Sequence, residues 1–91
     1  MRAHATICFP RGVDVDWVMV YEAAVRLHDA TAVRRLSDEW RRWCRSRPHR
    51  KKTKELPWWV SRHAVELGVP YSRLLEAALA TLYLKVQEVR A

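Results

Sequence analysis

Between positions 41 and 54 the chain reads R-R-W-C-R-S-R-P-H-R-K-K-T-K, eight Lys and Arg with no acid among them. The remaining residues carry nine basic and ten acidic side chains, so the formal charge of +7 is a local property of this stretch. One apolar helical pattern ends before Pro48 and another begins after it. The fold must therefore keep an unneutralised cationic joint in water between two apolar halves. Such a run is either a solvated linker or a grip for phosphate, and we read it as a grip.

A chain of 91 residues makes one small domain, 1–91, burying a little over ~60% of its unfolded surface. Yet 49% of the residues are hydrophobic, five are Trp and only two are Gly. That excess points to apolar surface shared between copies, and a homodimer is the expectation. The absence of Asn, a single Gln and 30% charged residues lean towards a heat-adapted, thermophile source. Cys8 and Cys44 form no C-x-x-C and no disulfide framework, which suits a reducing compartment. No signal-peptide pattern opens the chain, and the longest apolar run, residues 17–21, is too short to span a bilayer. A cytoplasmic protein without a membrane partner is expected.

Residues 3–9 (A-H-A-T-I-C-F) alternate with period two and read as a short strand, ended by Pro10-Arg11-Gly12. A lone strand needs a partner, and a symmetry mate is one candidate. Residues 13–17 are ambiguous between a return strand and a helix; we favour a helix over 16–28, with Asp16 as its cap. Val33, Leu36, Trp40, Trp43 and Cys44 then form an amphipathic stripe, on which Trp40 and Trp43 are core or interface anchors rather than platforms for bases. Asp38 is placed to pair with Arg42 at i, i+4. After Pro48 the basic stretch reads as irregular to Glu55.

Pro57 opens a third helix with Trp59, Val60, His63, Ala64 and Leu67 on its apolar face. Gly68 is a left-handed stop onto which Val69 folds back. A last helix from Pro70 or Ser72 carries Leu75, Leu79, Leu82, Val86 and Val89, widened by Leu74, Ala78 and Tyr83. One face suffices for a core, so the excess again suggests a partner. Residues 24–27 (A-V-R-L) and 64–67 (A-V-E-L) precede similar breaks. The expected fold is mainly α: four helices in two helical hairpins, a short N-terminal β-strand, and the basic joint between the hairpins.

The segment E-L-G-V-P-Y-S-R-L-L-E-A-A-L at 66–79 resembles the helix, turn, helix portion of ribbon-helix-helix DNA-binding proteins. Ala64, Gly68, Val69 and Leu74 also sit where helix-turn-helix proteins place small, turn and core residues, so the likeness spans roughly residues 60–84. The helix-turn-helix likeness implies that Tyr71, Ser72, Arg73 and Glu76 approach bases, although Glu76 would repel phosphate. The ribbon-helix-helix likeness implies a strand paired across a dimer, with His4 and Thr6 reading the groove.

His4, Cys8, Cys44 and His49 contain the ingredients of a zinc site, but without a tight Cys knuckle no metal is expected. Asp14 and Asp16 read as turn and cap residues, and His28 and His63 as helix-face residues. No Gly-rich phosphate loop, nucleophile elbow or acid cluster is visible, so neither an enzyme nor a cofactor is expected. The reading is a dimeric DNA-binding regulator or architectural factor. Arg41, Arg42, Arg45, Arg47, Arg50, Lys51, Lys52 and Lys54 contact phosphates of duplex DNA, Arg62 and Arg73 add to the surface, and Tyr71, Ser72, His4 and Thr6 are candidates for bases. RNA is a further possible partner, with Trp58 and Trp59 able to stack on bases, although packing is the expected role of both. The alternative is a helical homo-oligomeric interaction module that binds no nucleic acid.

Overall fold

A computed structural model of the chain describes residues 2–84. The elements run β1 (Ala3–Pro10), α1 (Trp17–Val25), α2 (Ala30–Arg45), β2 (His49–Leu56), α3 (Trp58–Leu67) and α4 (Tyr71–Leu79), which continues as a π-helical turn over Ala80–Leu84. The fold is mainly α with a two-stranded antiparallel sheet. No helix among the described residues is long and apolar enough to cross a membrane.

Local chemistry sets most boundaries. Asp16 caps α1, its Oδ1 accepting from the amides of Val18 at 3.1 Å and Met19 at 3.4 Å. Asp29 does the same for α2 through Thr31 at 2.9 Å and Ala32 at 3.4 Å. Gly68 ends α3 at φ 73°, and the Val69 amide donates to the Ala64 carbonyl at 3.1 Å as Val69 turns into the core. Trp40 is a core anchor as expected: its ring is fully buried, and its Nε1–H donates to the Cys8 carbonyl at 2.7 Å. The Val86 and Val89 positions of the last apolar stripe lie outside the described residues.

Two expectations are corrected. The segment after Pro48 is not irregular but a strand, β2, which pairs with β1 in the register Ala3↔Leu56 to Pro10↔His49. The pairing requirement of β1 is thus met inside the chain. Its partner lacks apolar alternation because β1 is the one element against which β2 packs extensively, leaving every other position free to carry charge.

The four helices exist, but they do not stack as two hairpins. The consecutive pairs α1–α2 and α3–α4 touch lightly, whereas α4 packs against α2, α1 and β1 together. The reason is that α4 is apolar nearly all round, with Leu74, Leu75, Ala77, Ala78, Leu79 and Ala80 all buried, so it takes the centre. Beyond it Leu82, Tyr83 and Leu84 pack partly buried against the same core. Because α2 runs 16 residues from a single side-chain cap, replacing Asp29→Ala should lower stability by about 1 kcal/mol in urea unfolding, with the native contacts of β1 unchanged.

Candidate nucleic-acid interface

Pairing with β1 decides where the basic side chains go. Side chains of cross-strand partners project to the same side of a sheet, and successive residues alternate. Arg50, Lys52 and Lys54 are partners of Phe9, Ile7 and Ala5, which are buried. These three cations therefore project on the core side but overhang its rim. Lys52 Nζ lies 5.2 Å from the Phe9 ring centroid, and Lys54 Nζ lies 4.6 Å from that of Trp17. Their methylene stems cover apolar rings while the ammonium groups stay in contact with water.

The opposite side of the ribbon carries Thr6, Cys8, Lys51 and Thr53, with the Thr6 and Thr53 hydroxyls 3.2 Å apart. There the end of α2 closes a concavity of about 260 Å³ lined by Thr6, Cys8, Arg41, Arg45, His49, Lys51 and Glu76. His49 Nδ1 lies 2.9 Å from the Arg47 carbonyl, an oxygen that can only accept, so the proton sits on Nδ1. Arg47 itself lies with its guanidinium 4.1 Å from the Trp43 ring.

Three of the cations named from sequence are already engaged. Arg41 Nε donates to both carboxylate oxygens of Glu76 at 3.0 Å, its Nη2 reaches Oε1 at 2.9 Å, and Ser37 Oγ donates to the same oxygen at 3.1 Å. The hydrogen bonds and charge of Glu76 raise the Arg41 pKa further above its ordinary value. Arg73 pairs with Asp38, holding that carboxyl below its ordinary pKa, chiefly by the hydrogen bond; the expected Asp38–Arg42 pair is not formed. Arg62 pairs with Glu66 at 3.1 Å along α3. Among the described residues Arg42, Arg45, Arg47, Arg50, Lys51, Lys52 and Lys54 meet no carboxylate within ion-pair distance.

The structure therefore does not gather the basic stretch on one face. It leaves Arg42, Arg45 and Arg47 at and just beyond the end of α2, and divides Arg50, Lys51, Lys52 and Lys54 between the two sides of an edge strand whose outer rim no other strand covers. Of the base-contact candidates, His4 and Thr6 lie exposed on β1, whereas Tyr71 and Ser72 are half-buried where α4 begins. Glu76, although it contributes to the lining of the concavity, is almost fully buried on α4 and serves Arg41 and Ser37. The body of α4 has no free surface to lay in a groove.

Sequence reasoning missed His49 as part of the concavity and misjudged Trp58, which is 72% exposed. A signal for Trp58 existed: Val60 and Ala64 lie one turn apart on the buried face of α3, and Trp58 lies about 200° around the helix from Val60. Among the described residues no three His, Cys, Asp or Glu come together as a metal site. Cys44 is fully buried beside Cys8, and burial, reinforced by Cys8, pushes its thiol up to about 12. No protein-family model, curated protein or solved structure matches the chain.

Two outcomes follow from this packing. Glu76→Ala strands the Arg41 guanidinium and should cost about 2–4 kcal/mol in urea unfolding, with Glu76→Gln costing less because its amide oxygen still accepts. Cys44 should resist iodoacetamide at pH near 8 in the native protein and alkylate only on unfolding, as read by mass spectrometry.

Proposed function

We propose that the protein binds nucleic acid by its phosphate backbone, along the outer edge of β2. The observation that carries this reading is the set of four cations on β2, Arg50, Lys51, Lys52 and Lys54, which meet no carboxylate within ion-pair distance among the described residues and stand to both sides of one strand rim. A polyanion lying on that rim meets Arg50, Lys52 and Lys54 on one side and Lys51 and Arg45 on the other, the last two lining a shared concavity. A mobile linker would scatter the same charges, whereas pairing with β1 fixes their order and spacing.

A DNA-binding regulator or architectural factor is the role proposed for this grip, in the cytoplasm, with no catalytic step. The homodimer belongs to the proposal too, since two copies double the phosphates held. Val18 and Met19, 63% and 51% exposed on α1, are apolar surface suited to that contact. The same exposure, with Val65, favours a second reading in which this is an interaction module whose apolar helices are the working surface.

Salt titration separates the two. Phosphate contacts release counterions, so log K for a labelled oligonucleotide should fall linearly with log salt, by about 0.7–0.9 per phosphate neutralised. Replacing Arg50, Lys51 and Lys52 together with Gln should reduce that slope by about two to three units. A slope that stays unchanged would mean the strand's cations are bystanders.

A further inference from the structure

We propose that the strand held on β2 is unpaired, and that its bases stack on Trp58 and Trp59, at the far end of an aromatic row that begins under the lysines. This rests on the nucleic-acid reading above and specifies which form of nucleic acid the site takes.

The motivating feature is a continuous row of aromatic rings on the core side of the ribbon. Phe9 and Trp17 have centroids 5.9 Å apart, Trp17 and Tyr21 6.2 Å, and Tyr21 and Trp59 6.4 Å. The row starts under the ammonium groups of Lys52 and Lys54 and climbs along α1 to the first turn of α3. Exposure grows in the same direction: Phe9 is buried, Trp17 and Tyr21 are half-buried, Trp59 is 36% exposed and its neighbour Trp58 72%. The Tyr21 hydroxyl donates to the Glu55 carbonyl at 3.1 Å, which fixes the row to the end of β2.

The core does not need these two indoles. The buried positions of α3 are Val60 and Ala64, one turn apart, and the Trp pair sits outside them. Together with Val25, Arg62, His63 and Glu66 they line a shallow groove of about 330 Å³. An indole left so open gives up much of the stabilisation its burial would contribute, unless a ligand covers it.

Charge decides between occupants. The acids beside the groove and the strand end are already answered, Glu66 by Arg62 and Glu55 by Arg2 at 3.3 Å, whereas Arg50, Lys52 and Lys54 meet none among the described residues. The surface thus sets free cations at one end of a row of rings whose other end lies open, which suits a chain that carries both phosphates and bases. A duplex keeps its base faces stacked inside and offers only edges, so an indole can be covered by a base only where pairing is absent.

The test uses the full chain with labelled oligothymidylate and oligouridylate of about 15 nucleotides, and a mixed-sequence duplex of equal length, at ~0.15 M salt. Single strands should bind at least about tenfold tighter than duplex and quench tryptophan fluorescence. Trp58→Ala and Trp59→Ala should each weaken single-strand binding by about 5- to 100-fold and leave the duplex affinity and salt slope unchanged; Trp58→Ala, which removes little packing, should also melt as the parent does. Trp59→Phe, which keeps a ring, should recover most of the loss. Equal affinity for both forms, or Trp58→Ala altering sedimentation mass but not binding, overturns the stacking proposal while the phosphate grip stands. If no oligonucleotide binds at micromolar protein, the grip itself fails and stacking falls with it.

Discussion

A carboxylate at the centre of the most apolar helix is the constraint on which the other placements depend. Glu76 lies among the leucines and alanines of α4, where an ionised group without partners costs several kcal/mol by general estimates. Arg41 and Ser37, one turn apart on α2, supply donors to it. Meeting that requirement fixes how α2 is rotated and slid against α4. The same rotation turns Trp40 inward to the Cys8 carbonyl, which seats β1, and β1 in turn dictates the register of β2. The positions of Arg50, Lys52 and Lys54 thus descend, through three contacts, from one buried acid.

An edge strand with an open rim is a hazard, because its unpaired amides and carbonyls template further strands. Lysines on both sides of β2 suppress that pairing between copies, since two such rims would bring like charges together. The side chains that keep the edge from other proteins are the ones placed to hold a polyanion. Arg41 illustrates the converse: it lies in the same cationic run yet is spent on Glu76, so membership of a charge cluster does not by itself make a side chain available.

Much of the fold was legible because its signals are local. Asp16 precedes an apolar turn and caps it; Gly68 is followed by Val69 and folds back as a left-handed stop requires; Trp40 lies on a period-3.6 stripe and is buried. The unread parts share a cause. β2 shows no apolar alternation, because its inward positions before Leu56 meet the core only through the stems of Lys52 and Lys54 at its rim. Glu76 looked like a groove-facing acid because nothing within α4 reveals that donors 35 and 39 residues away will meet it.

The amino-acid order by itself determined the helices, their caps, the amphipathic faces and the concentration of positive charge between residues 41 and 54, since each depends on neighbours within a few positions. Only the tertiary structure decided which helix became the centre, which arginines were neutralised, and how the basic run was divided between the sides of a ribbon. Those outcomes depend on pairings between distant segments, where desolvation of a charge or an open strand edge is resolved by whatever the rest of the chain brings within reach.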